Sequence, residues 1–116
     1  MKQEPLAWYP WYWHRWQRSR RVLRLTLAAR GLYRELLDEC WRVGRIPDDP
    51  NAIAALTFAD EQDVLRAWPT VRPFFAVRPD GDLYHPDMAD LRQHQLQRHA
   101  AQVLNGRKGG RPAKPK

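Results

Sequence analysis

Between Thr26 and Gly44 apolar residues return every three or four positions. Ala29, Leu32, Tyr33, Leu36, Leu37, Cys40 and Trp41 therefore share one face, which predicts a helix over 27–43, the most secure element in the chain. Thr26 is its N-cap and Gly44 its stop. Arg45-Ile46-Pro47 reads as a short extended link. Asp48 or Asp49 then caps a second helix, with Pro50 in its first turn and Ile53, Ala54 and Leu56 facing inward. Phe58-Ala59 makes a turn. Asp60 followed by Asp63, a variant of the capping-box spacing, opens a third helix whose inner face is Val64, Leu65 and Trp68 and which Pro69 is expected to break or kink.

Beyond that helix the pattern turns β-like. Phe74–Arg78 and Asp82–His85 are β-prone runs around Pro79-Asp80-Gly81, the strongest hairpin signal present. After Pro86 a weaker helical pattern (Met88, Leu91, Gln95, Leu96, His99, Val103) covers 87–104 and is ended by Asn105-Gly106. Residues 1–26 read as an extended arm, because Pro10 forces the residue before it out of the α region. Helix, short strand, helix, helix and hairpin is the order of a winged helix, a helix-turn-helix variant. The expected fold is mainly α with a small β-hairpin. Its parts are an aromatic and basic arm packed on the core (1–26), a winged-helix core (27–86), a C-terminal helix (87–104) and a disordered basic tail (105–116).

A chain of 116 residues, 43% apolar, supports one core and one domain. Its lone cysteine, Cys40, excludes an intramolecular disulfide framework or a cysteine metal cluster and suggests a reducing compartment. No apolar run approaches the roughly 18 residues that span a bilayer. No membrane association is expected, and the localisation implied is cytoplasmic.

Charge changes the picture most. The formal net charge of +7 divides into +5 on residues 1–26, −3 on 27–104 and +5 on 105–116. Clustered cations release phosphate counterions effectively, so the ends read as polyanion-binding arms around a mildly acidic body. The expected partner is DNA, duplex or single-stranded. The residues assigned to it are Arg15, Arg18, Arg20, Arg21 and Arg24 of the arm, Arg66 and Arg72 around the third helix, and Arg107, Lys108, Arg111, Lys114 and Lys116 of the tail. Within the tail, Gly110-Arg111-Pro112 looks like the core of an AT-hook. Asp60, Glu61 and Asp63 sit where a winged helix usually approaches bases, which favours a structural third helix over a base-reading one. Trp8, Tyr9, Trp11, Tyr12, Trp13 and Trp16 could stack on bases. The stronger expectation is that most of them cover the core, with Trp13 or Trp16 partly exposed.

No catalytic constellation stands out. His85 with Asp87, and His94 with His99, are the only neighbouring sets, and a five-residue gap does not put two imidazoles on one helix face. The chain is read as a non-enzyme with no metal and no cofactor, and Cys40 as a small core residue.

Several of these residues resemble a known family. Trp11 to Trp16, Arg18-Ser19-Arg20-Arg21-Val22 to Leu25-Thr26, Ala29-Arg30-Gly31-Leu32-Tyr33 with Leu36-Leu37 and Trp41, Ile46 to Pro50, Phe74-Phe75 and Leu83-Tyr84 look like the YdaU-type domain of prophage and phage genomes, over roughly residues 8–90. The resemblance implies a winged-helix-like domain with a role in phage DNA replication, by analogy with primosomal initiators and helicase loaders. The chain departs from the family at Arg15, where members often carry an aspartate. The function expected is a phage or prophage-type DNA-binding accessory protein of low sequence specificity. The alternative is an adaptor whose acidic second and third helices dock a replication protein while the tail tethers nucleic acid. The helix over 87–104 offers a coiled-coil-like contact for a homodimer.

Overall fold

The computed structural model describes residues 6–107, and the expectations for Lys108, Arg111, Lys114 and Lys116 lie outside that span. The order is α1 (Trp13–Arg18), α2 (Arg20–Leu23), α3 (Leu27–Arg42), α4 (Pro50–Thr57), α5 (Glu61–Val71), a 3-10 turn (Arg72–Phe74), β1 (Ala76–Val77), β2 (Leu83–Tyr84) and α6 (Pro86–Arg107). It is mainly helical with one antiparallel hairpin, in which Ala76 faces Tyr84 and Val77 faces Leu83.

The core is built on α3. Its buried residues are the seven that the 3–4 spacing marks, from Ala29 to Trp41. Thr26 caps it by accepting the N–H of Ala29 at 3.1 Å. Gly44, at φ 97°, takes the left-handed conformation just past its end, where a side chain would be strained. Ile46 then pairs with Leu83 through two backbone hydrogen bonds of 2.9 and 2.8 Å, so the link is a one-residue extension of the hairpin's edge. Ile46, Ile53, Val71 and Leu83 are fully enclosed around Leu36. Burying a side chain of this size is worth roughly 1.5–3 kcal/mol.

Asp49 rather than Asp48 caps α4, accepting the N–H of Asn51. Asp60 caps α5 through the N–H groups of Gln62 and Asp63. Leu56 is only half-buried. In α5 the buried stripe is Val64, Ala67, Trp68 and Val71, and Leu65 lies beside it in solvent, contrary to expectation. The i, i+3, i+4, i+7 geometry leaves no room for position 65 on that face.

Pro69 does not break the helix either, which runs on to Val71. The proline and Leu65 one turn earlier both lie on the exposed side of the helix, while Trp68 and Val71 anchor the turn in the core.

Two further corrections concern the ends. The arm is not extended throughout: past Pro10 it forms the short helices α1 and α2. Neither would persist alone at six and four residues. Trp16 packing on Tyr33 holds the first, and Val22 and Leu25 buried in the core hold the second, with Ser19 capping it by accepting the N–H of Val22. At the other end Asn105 and Gly106 are helical and α6 extends through Arg107. A glycine stop is commonly accompanied by an apolar contact from the residues that follow it, and the sequence Arg107-Lys108-Gly109 holds no apolar side chain. Arg107 thus belongs to a helix and not to a tail.

Candidate nucleic-acid interface

Leu6, Tyr9 and Trp16 lay the first residues of the described chain across the outer side of α3. The Trp41 indole N–H donates to the carbonyl of Leu6 at 3.0 Å, and the Tyr9 ring lies 5.1 Å from that of Trp41. The Tyr9 hydroxyl donates to Asp38. Burial, reinforced by that carboxylate, holds the Tyr9 phenol well above its ordinary pKa, so it stays a donor. Trp16 stacks on Tyr33 at 5.4 Å with planes 17° apart, and Trp11 leans on Trp16 at 5.1 Å.

Only two of the six aromatics cover the core, which overturns the expectation that most would. Trp8 is 61% exposed, Trp13 60%, Tyr12 38% and Trp11 36%. Tyr9 packs on Trp41 and Trp16 on Tyr33 at the edge of the buried stripe of α3, and the other rings of the arm project beyond them. Of the two rings expected to show partial exposure, Trp13 is largely exposed and Trp16 half-buried.

The arginines divide into two populations. In the body, Arg42 pairs with Glu39, Arg45 with Asp80, Arg66 with Asp63 and Arg78 with Asp80. Arg72 makes a bidentate pair with Asp48 at 2.9 and 2.7 Å. Its guanidinium holds the Asp48 carboxyl below the usual carboxylate range. Arg72 therefore leaves the set of free phosphate contacts, and Arg66 is weakened as one by its 3.6 Å pairing to Asp63.

Among the described residues, by contrast, no arginine of the arm pairs with a carboxylate. Arg18, Arg20 and Arg24 are exposed. Arg15 lies 4.3 Å over the Tyr12 ring, and Arg21 lies 4.3 Å over Phe74 while donating to the carbonyl of Pro73 at 3.3 Å. Arg34, which sequence reasoning missed, sits 3.5 Å over Trp11 with its Nη1 buried and without an acceptor. That face-on contact, worth about 0.5–2 kcal/mol, is what fixes Trp11.

A cleft of about 420 Å³ opens between arm and body, walled by Trp11, Tyr12, Trp16, Tyr33 and Phe74 and edged by Arg15 and Arg21. Asp87 is the only carboxylate among its lining residues. At its floor His85 Nδ1 accepts the N–H of Met88 at 3.2 Å, which makes it the cap of α6. With Nδ1 an acceptor, Nε2 carries the proton and donates to the Tyr33 hydroxyl at 2.9 Å. Burial is the main cause that holds the His85 imidazole below its ordinary pKa, and it pushes the Tyr33 phenol up to about 12. Cys40, buried in α3, has its thiol pushed up to about 12 by the same desolvation and is a core residue.

Compared with models of protein families, with curated proteins and with solved structures, the chain matches none.

Proposed function

We propose that the chain is a nucleic-acid-binding accessory protein that grips the phosphate backbone with low sequence specificity. One observation carries the reading: among the described residues none of the arm's five arginines forms an ion pair with a carboxylate, whereas five of the body's nine do so with its own acids. Unpaired guanidiniums clustered on a packed surface are poised to displace counterions from phosphates. The phage or prophage setting and the link to DNA replication rest on the sequence resemblance alone. A winged-helix reading of the body draws support from the element order and from Ile46 pairing with the hairpin as a first strand would. In that frame α5 is the helix that would enter a groove. Its first turn carries Glu61 and Asp63, so the arm and not α5 is the gripping element.

A salt-series titration on duplex and single-stranded DNA tests this. Engagement of the five arm arginines gives log K against log salt a slope of about −4.5 on duplex. Failure to bind any nucleic acid at low ionic strength ends the proposal.

A second reading, an adaptor docking a basic partner protein, is favoured by Phe58. That side chain is 97% exposed in the turn before α5, beside Asp60 and Glu61, and its backbone is held at φ 56°, a conformation costly for a bulky residue.

A further inference from the structure

Trp8, Trp11, Tyr12 and Trp13 expose ring surface next to Arg15 and Arg18 while their segment is fastened to α3. An exposed aromatic patch of this density calls for a partner. We propose that the partner is an unpaired nucleic-acid strand, whose bases stack on these rings and whose phosphates meet the arm arginines; this rests on the proposed nucleic-acid binding and narrows it to single strands.

The argument turns on which chemical surfaces each form of nucleic acid offers. In a duplex the base faces are hidden by stacking, and only groove edges and phosphates are presented. Base edges are read by side chains with several donors or acceptors, such as Arg, Asn or Gln. An indole has one N–H donor and no acceptor, so Trp8, Trp11 and Trp13 have little to offer a groove. A single strand presents π-faces, and binding platforms for it combine aromatics with a basic track. The arm has both, in sequence and in space. Arg15 lies against Tyr12 and Arg34 against Trp11, so cation and ring are already juxtaposed.

The cleft beside these rings is also within the roughly 300–1,000 Å³ typical of small-molecule sites, large enough to admit a splayed base. Trp11 and the segment before it are pre-positioned. Trp11 is clamped between Arg34 and Trp16, and the chain before it is fixed by the Trp41–Leu6 hydrogen bond, so little ordering cost remains for binding.

Trp8 and Trp13, the two most exposed rings of the arm, can be removed without opening the core. The test compares the intact chain with a W8A/W13A variant and a W8Y/W13Y variant, by fluorescence anisotropy at one fixed salt concentration. The probes are labelled dT20, labelled rU20 and a mixed-sequence 20-bp duplex. The expected result is tighter binding of a single strand than of duplex. Stacking is worth about 5- to 150-fold in affinity per base, so W8A/W13A loses at least about tenfold on the single strand and stays within about twofold of the parent on duplex. The tyrosine variant retains most of the affinity, which separates ring loss from misfolding. Preference for dT20 or rU20 identifies the sugar.

Equal affinity of the parent for single strand and duplex, or an alanine variant unchanged on dT20 and rU20, overturns the inference while leaving backbone binding in place. Absence of binding to all three probes overturns the proposed function itself. Concentration-dependent sedimentation abolished by W8A/W13A, with nucleic-acid binding unaltered, also overturns it and makes the patch a self-association face.

Discussion

Replacing Arg18, Arg20 and Arg24 by glutamine removes three exposed charges that pair with no carboxylate among the described residues, and replacing Arg72 removes one held by Asp48 at 2.7 Å. Each substitution lowers the net charge by one unit. If net charge alone governed binding, every position would count equally. Pairing says otherwise: seen from outside, Arg72 with Asp48 is a neutral dipole, whereas each free arm guanidinium releases about 0.9 counterion on duplex or about 0.7 on a single strand.

The triple variant should therefore flatten the slope by about 2.7 on duplex and about 2.1 on a single strand. Between about 50 and 200 mM salt the intact chain loses affinity by roughly 40-fold more than the variant does on duplex, and roughly 20-fold more on a single strand. Arg72→Gln leaves the slope within about 0.3 of the parent on either probe, since it releases no counterion. Anisotropy titrations at five or more salt concentrations measure these slopes directly. An R72Q slope change as large as the per-residue change of the triple variant would refute the reasoning, because it would mean that intramolecular pairing does not decide which cations reach phosphate.

Two other expectations follow from the same geometry. His85 is held neutral by burial, with Arg21 lowering and Asp87 raising its pKa, so the unfolded chain takes up a proton near the ordinary histidine value of about 6.5 before the folded one does. Its contribution to stability is complete above that pH and is lost as pH falls toward the folded-state value. Urea midpoints should drop between pH 7 and 5 in the parent, and less steeply in His85→Asn, whose carbonyl still accepts the Met88 N–H; parallel pH profiles count against the capping role. Phe58→Gly relieves a left-handed backbone at a fully exposed position, so urea denaturation should show stability unchanged or raised by about 1 kcal/mol. A loss of 1 kcal/mol or more would show that the ring supports the fold.

What was legible in the sequence had a local cause. The face of α3 follows from its period, and the caps at Thr26 and Asp60 from side chains that reach N–H groups two or three residues on. The clustering of charge is visible in one dimension. Its neutralisation is not, because Arg72 and Asp48 are 24 residues apart and meet only once α5 packs on α4.

The arm was misread for a related reason. Pro10 constrains Tyr9, but nothing local constrains Trp13–Arg18, whose helix depends on Trp16 finding Tyr33. Ser19 three residues before Val22 was a readable cap signal for α2. Total apolar surface argues for placing the aromatic run on the core, but how many rings the core accepts depends on which partners are within reach, and only Tyr9 and Trp16 find one there, in Trp41 and Tyr33.

Rings and cations of the arm are held near one another because α3 serves two purposes at once. Its inner stripe is the centre of the core, and its flank, with Arg34 and Asp38 outside the stripe and buried Trp41 at the stripe's edge, takes hold of Trp11, Tyr9 and Leu6 respectively through positions spaced four and three residues apart. Helical geometry places such positions on one flank. Anchor points spread over about two turns fix both the position and the direction of the segment, which a single contact cannot. The orientation of Trp11, and the course of the segment that carries the exposed rings, are thereby tied to the helix at the centre of the core, and a bound strand would meet a segment already placed. Loosening the anchors should weaken binding without touching a contact residue: Asp38→Asn keeps a polar partner for Tyr9, whereas Trp41→Phe deletes the hydrogen bond to Leu6 while leaving a ring in the core. If the pre-set arrangement matters, Trp41→Phe is the more damaging of the two.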